Sequence, residues 1–181
     1  MFIYMFAYVQ DRMPTLSDDD MGRVVSISFL VLNAVGALVP VLLLEPITER
    51  MGRVKTHWAS LATMALAYAG VLLFGSTPMA IYVCMAIAGI GWGATVSLPF
   101  AIMSHKIDQG RMGMYMGLFN LSVVLPQLVA SLGVGQAVSE TADKGLIFII
   151  CAATLGVSAL AWSFVKDEVS TEPVAATASS H

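Results

Sequence analysis

A single uncharged stretch decides the fold of this chain: residues 56–105 have the sequence THWASLATMALAYAGVLLFGSTPMAIYVCMAIAGIGWGATVSLPFAIMSH and contain no Asp, Glu, Lys or Arg. These fifty residues are predominantly apolar, with a turn-forming segment, Gly75-Ser76-Thr77-Pro78, near the middle. An uncharged run of about 18 residues or more is a transmembrane candidate, because a helix of a soluble domain needs a polar face toward water. We therefore expect residues 56–105 to cross a membrane twice.

The rest of the composition agrees with a membrane protein. Hydrophobic residues make up 57% of the chain and charged residues only 12%, with a net charge of −3, whereas soluble domains carry about 25% charged residues. No basic patch is interleaved with aromatic residues, which argues against nucleic-acid binding. Cys84 and Cys151 lie in apolar runs, and the three histidines have no ligand at a metal-binding spacing, so we expect no disulfide framework, metal or cofactor.

Three further uncharged runs complete an all-α integral membrane pattern. Twenty-one helical residues reach about 31 Å, which matches a hydrocarbon core of about 30 Å. The predicted spans are 24–44, 57–75, 78–103, 113–135 and 145–165. Residues 11–23 are predicted to be an extracytoplasmic loop, and the polar, Ala/Ser-rich residues 166–181 a disordered tail.

The first ten residues are apolar and aromatic but too short to cross a membrane, since ten helical residues reach about 15 Å. They are either an interfacial segment or the outer half of a sixth helix. The charged loop that follows favours the second interpretation. Six basic residues lie on the side of the 44–57 loop, the 104–112 loop and the tail, and three on the other side. The positive-inside rule therefore predicts a multi-pass protein of the cell membrane with its C-terminus in the cytoplasm.

Polar and small residues follow one face of the 113–135 span, namely Gly113, Gly117, Asn120, Gln127 and Ser131. Amide side chains that faced lipid would lack partners, so they must face helices or water. Two alternatives remain: interhelical hydrogen bonds, or a cavity that binds a hydroxylated ligand. The adjacent Pro126 frees a backbone carbonyl and slightly favours the cavity.

The other spans offer further candidates. Gly89 and Gly93, like Gly113 and Gly117, form a small-xxx-small pair that predicts close helix packing. Trp92 lies in mid-span, where its ring either stacks on a sugar or simply packs, and packing is the safer interpretation. Asn33 is a cavity candidate with interhelical bonding as its alternative. Away from their edges, the spans contain no Asp, Glu, Lys, Arg or His, although proton or ion coupling usually needs such a residue.

Residues 45–57, EPITERMGRVKTH, contain an ordered set of charges: acid, base, any residue, Gly, base, any residue, base. The set is Glu49, Arg50, Gly52, Arg53 and Lys55. A generic cytoplasmic turn explains positive charge but not this order. The order resembles the cytoplasmic signature loop of the major facilitator superfamily, in the copy of the second half. Glu45 replaces the usual leading glycine.

Residues 91–104 (GWGATVSLPFAIMS) and 113–127 (GMYMGLFNLSVVLPQ) are similar to the tenth and eleventh helices of sucrose/maltose:proton symporters of the glycoside–pentoside–hexuronide branch. The resemblance covers residues 24–165. It implies the C-terminal six-helix half of a major facilitator fold with a truncated first helix, residues 1–10 being the remnant of helix seven. The implied partners are the lipid bilayer, a missing N-terminal six-helix half, and a small neutral sugar with a proton.

On this resemblance we expect part of a sugar transporter that works by alternating access. The candidate substrate-cavity residues are Asn33, Trp92, Thr95, Asn120 and Gln127. Two alternatives are an exporter of another small solute and a non-transporting, truncated membrane fragment. An enzyme is not expected, because the one acidic cluster, Asp18-Asp19-Asp20, lacks a helical carboxylate spacing or a histidine partner.

Overall fold

The computed structural model describes residues 2–107, 109–134, 136, 140–141 and 143–165. The described residues contain helices and no strand. Seven α-helices are α1 Phe2–Arg12, α2 Asp18–Val39, α3 Glu45–Met51, α4 Arg53–Phe74, α5 Pro78–Lys106, α6 Met112–Val129 and α7 Leu146–Ser163. The shorter segments are the π-helical turns Pro40–Leu44 and Ala130–Val134 and the 3₁₀ turn Gln109–Arg111. Five helices are long and apolar enough to cross a membrane, which confirms the all-α membrane class predicted from the sequence.

The first spanning helix begins at Asp18 rather than at Val24. The Ser17 side chain caps it by accepting a hydrogen bond from the backbone N–H of Asp20, and three acidic residues lie in the first turn. Both features stabilise a helix N-terminus, because they satisfy a free N–H and face the positive end of the dipole. Residues 18–23, which the sequence assigned to a loop, are therefore helical.

The same helix also continues past residue 44. Its backbone hydrogen bonds change to the π pattern at Pro40–Leu44 and return to the α pattern in α3. We infer that Pro40 causes this change, because proline has no N–H to donate. The continuous helix Asp18–Met51 has 34 residues and is therefore about 51 Å long. That is well beyond a hydrocarbon core of about 30 Å, so the two ends of this helix extend into the polar interfaces.

Helix α5 lies between α2 and α4, and α4 separates α5 from α7. One apolar cluster joins α1, α2, α4, α5 and the start of α7. Its largest fully buried side chains include Tyr8, Met85 and Phe148. A second cluster, around Val54 and Leu98, lies near the opposite ends of α4 and α5.

Helix α1 is attached to the bundle by Tyr8. The Tyr8 hydroxyl donates a hydrogen bond of 2.7 Å to the carbonyl oxygen of Val71 in α4. Its ring lies edge-on to Phe148 of α7, with 4.8 Å between centroids, and the Arg12 guanidinium lies 5.5 Å from the ring centroid. This packing places α1 against the bundle, and its assignment as the outer half of a sixth helix, the remnant of helix seven, stays a prediction.

Helix α6 differs from the other four membrane-spanning helices of the described chain because none of its residues is buried. One ring contact joins it to α5, where Phe119 and Phe100 lie edge to face with 6.3 Å between centroids. The predicted span 113–135 corresponds to α6 and the following π-helical turn, Ala130–Val134. The predicted tail, residues 166–181, lies outside the described residues.

Candidate functional site

The α2–α5 crossing is built from glycines. A Cβ atom added at Gly93 would lie 2.3 Å from the carbonyl oxygen of Gly36, and one added at Gly89 would lie 2.6 Å from the carbonyl oxygen of Leu32. Contacts this short leave no room for a side chain, so the two backbones approach as closely as small-xxx-small sequences permit. Gly36 in turn contacts the Trp92 ring, because its added Cβ would lie 2.8 Å from Cδ1 of Trp92.

A third glycine of α5 faces the other neighbour. A Cβ atom at Gly91 would lie 2.4 Å from both the carbonyl oxygen of Ser60 and Cγ of Met64, which belong to α4. Residues two apart lie on different sides of a helix. The segment Gly89–Gly93 therefore brings α5 against α2 on one side and against α4 on the other.

Two candidate cavity residues, Asn33 and Trp92, lie near Gly36 at the α2–α5 crossing. Asn33 precedes Gly36 by one helical turn and therefore lies on the same side of α2. Trp92 covers Gly36 from α5 and keeps 42% of its surface exposed. Asn33 is also exposed, and its Nδ2 donates to the carbonyl oxygen of Phe29 at 2.8 Å. The described hydrogen bond uses only the Nδ2 of this amide, and its Oδ1 accepts none of the described hydrogen bonds.

Thr95 is placed differently. Its hydroxyl lies 2.8 Å from the carbonyl oxygen of Gly91 and 3.4 Å from Sδ of Met64, so it is turned toward α4. Bonding of a hydroxyl to the carbonyl one turn earlier satisfies it within its own helix. Thr95 therefore contributes its hydroxyl to the α4–α5 contact.

Asn120 and Gln127 lie on α6 and are exposed. The described contacts join neither amide to Asn33 or Trp92. Gly113 and Gly117 have open space around them, since no atom lies within 4 Å of an added Cβ at either position. The face of α6 that carries these glycines and amides is therefore open in the described part of the chain.

The loop at residues 49–55 is a one-residue break between two helices. Gly52 adopts φ 85°, a backbone conformation that favours glycine, and its N–H donates to the carbonyl oxygen of Thr48. The Gly52 carbonyl oxygen then accepts a 2.7 Å hydrogen bond from the Thr56 hydroxyl. The four charged residues of this loop all point to the surface and are exposed: Glu49, Arg50, Arg53 and Lys55.

Three features of the site have no counterpart in the sequence analysis. His57 is only 2% exposed, its Nδ1 has no hydrogen-bond partner, and its ring lies edge to face against Trp162 of α7 with 4.5 Å between centroids. The other two features are the ring contact between Phe100 of α5 and Phe119 of α6, and the packing of Tyr8 against Val71 and Phe148. The sequence shows that these positions hold aromatic residues. It does not show which of them contact each other, because that depends on which helices cross.

Within the described part of the chain, no three His, Cys, Asp or Glu side chains are grouped so that they could hold a metal ion. The open face at the α2–α5 crossing consists of an amide, an indole and apolar side chains. Such a surface can donate and accept hydrogen bonds and stack on a ring. It provides no charge to a ligand.

Comparison with known proteins gives a consistent match. A family model described as Major Facilitator Superfamily matches residues 1–131. The chain is similar to the sucrose transport protein SUC3 of Arabidopsis thaliana, with 28% identity over 128 residues that cover 59% of this chain and 21% of that protein. The chain thus spans about a fifth of the length of this curated relative. No solved structure matches the chain.

Proposed function

We propose that this chain, which belongs to the major facilitator superfamily, forms one wall of the solute pathway of a secondary transporter for a neutral sugar. One observation carries the proposal: the exposed indole of Trp92 lies over Gly36, one helical turn along α2 from the exposed amide of Asn33. The similarity to a protein named as a sucrose transporter supports a sugar as the solute.

The chemistry of this surface suits a sugar. A sugar has no charge and many hydroxyl groups, so it needs hydrogen-bond donors and acceptors together with a flat face for its ring. Asn33 supplies the amide and Trp92 supplies the flat face. Asn120 and Gln127 add two amides on α6, which complete the wall once α6 is covered.

The proposed cycle is alternating access, in which two halves of the transporter rock around a central site near the membrane midplane. The partner is an N-terminal six-helix half that covers the unburied α6. In this proposal a proton gradient drives uptake, and the partner half handles the proton. The charged loop at Glu49–Lys55 lies in the cytoplasm, and the C-terminus lies on the same side of the cell membrane.

A sugar-uptake assay tests the proposal. The complete transporter, of which this chain is proposed to be one half, is reconstituted in vesicles. Labelled sucrose or maltose is then added with and without an inward proton gradient. We expect gradient-dependent uptake, and we expect Gln127→Leu to raise the KM because one amide of the wall is lost. Gln136→Leu is the matched control, because Gln136 bonds Glu140 outside the spans, and it should leave the KM unchanged.

Two results would contradict the proposal. One is transport of neither sugar under any gradient by a complete protein that is correctly inserted, which favours the exporter of another small solute. The other is equal kinetics of the Gln127→Leu and Gln136→Leu variants. We further expect the 181-residue chain alone to move no sugar, because one half encloses no pathway. Uptake by this chain alone would refute the need for a partner half.

A further inference from the structure

An apolar groove runs along the surface between α4 and α5 and has a volume of about 620 Å³. Its floor consists of small residues that are less exposed: Ala67, Gly70, Ala80 and Cys84. Its walls consist of large exposed side chains: Leu66, Phe74, Met79, Val83 and Ile87. Because small residues form the floor and large side chains form the walls, the groove has the shape of a channel that fits a single extended apolar chain.

The groove extends through half of a bilayer. On α4 it covers residues 66–74, the last nine of the helix, and on α5 it covers residues 79–87. Nine helical residues span about 13 Å, close to the roughly 15 Å of one leaflet's hydrocarbon. Beyond the groove the two helices meet at Gly91, where an added Cβ would lie 2.4 Å from the carbonyl oxygen of Ser60. The groove therefore runs from the 75–77 turn to the membrane midplane and ends there.

The groove offers almost nothing to a polar ligand. Thr77 and Cys84 are the lining residues with a polar side-chain atom. The Thr77 hydroxyl lies at the mouth and accepts the N–H of Ala80 as the N-cap of α5. Sugars and other hydroxylated solutes would lose their hydrogen bonds along this wall, so the occupant has no polar atoms over about 13 Å.

We infer that the groove holds one acyl chain of a membrane lipid, which enters at the 75–77 turn with its headgroup level with Ser76 and Thr77. The length decides against a transmembrane helix of a second copy or another protein. Such a helix crosses both leaflets, about 30 Å, and would need a seam that continues past Gly91. An acyl chain ends at the midplane, as the groove does. The inference does not depend on which solute the transporter carries.

Photo-crosslinking tests the inference. The full chain is placed in phosphatidylcholine vesicles that contain a lipid with a diazirine in the middle of one acyl chain, and the labelled residues are mapped by mass spectrometry. We expect more labelling on the groove walls than on Val157 and Leu160, two exposed residues of α7. Ala80→Leu fills the floor of the groove and should reduce the wall labelling to the α7 level.

The matched control is Ala153→Leu, the same change at an exposed alanine of α7, which should leave the groove labelling intact. Circular dichroism of both variants confirms that each is still helical. Equal labelling of the groove and α7 overturns the inference, as does an equal loss in the two variants. Oxidative Cys84–Cys84 dimers in a Cys151→Ser background would place a second copy over the groove and also overturn it.

Discussion

Replacing Gly93 with alanine should measurably destabilise the helix bundle. The added methyl group would lie 2.3 Å from the carbonyl oxygen of Gly36 and 2.6 Å from Cγ of Pro40. Both neighbours are rigid, one being backbone and the other a ring, so the α2–α5 crossing has to open. Overpacking of this kind costs about 1–3 kcal/mol.

The same substitution also has a favourable term. Alanine in place of glycine in a helix interior gains about 0.5–1 kcal/mol, because the backbone loses less entropy on folding. The difference is a net loss in the free energy of unfolding that is centred on about 1 kcal/mol and reaches at most about 2.5 kcal/mol. The measurement is unfolding of the chain in mixed micelles, titrated with denaturing detergent and followed by circular dichroism.

Gly156→Ala on α7 is the matched control. No atom lies within 4 Å of an added Cβ at Gly156, so only the favourable term applies there. We expect Gly156→Ala to be neutral or stabilising by up to about 1 kcal/mol. If the two variants unfold at the same detergent fraction, the glycine contact at the α2–α5 crossing is not the tight seam that we describe.

Three further predictions use the same unfolding assay. Tyr8→Phe removes the hydrogen bond to Val71 and should lower the free energy of unfolding by about 1 kcal/mol; an unchanged midpoint would mean that the bond contributes nothing. His57→Phe replaces a buried ring whose Nδ1 has no partner and should be neutral or stabilising by up to about 1–3 kcal/mol; a clear loss of stability would show that the imidazole has an unseen partner. Gly52→Ala forces a side chain into φ 85°, ψ 156°, a backbone region that is essentially restricted to glycine, and should cost about 1–3 kcal/mol; an unchanged midpoint would contradict the need for glycine at this break.

The sequence alone predicts the membrane class and most helix positions, because length and absence of charge are properties of each segment taken alone. The turn at residues 75–77 and the break at Gly52 follow from local chemistry in the same way. The early start of α2 also had a visible local signal, since Ser17 and Asp20 have the spacing of a helix cap.

The arrangement of the site is less predictable because it depends on which helices touch. Asn33 and Trp92 are both visible as candidates, yet the position of Trp92 over α2 follows from the approach of Gly36 to α5. Thr95 has the same polar character but is turned toward Met64. No pattern in the sequence distinguishes these outcomes. The alternation of Gly89, Gly91 and Gly93 could have indicated a helix with two tight neighbours.

That alternation also limits how this part of the molecule can deform. Close glycine contacts on two sides of α5 hold α2, α4 and α5 in fixed relative positions, because sliding of one helix against another would cause steric collisions. The separation between Asn33 and Trp92 would then be the same whichever way the passage opens. In the proposed transporter, a difference in solute affinity between the two faces of the membrane would then originate on the opposite wall or in α6, which none of the described glycine contacts restrains.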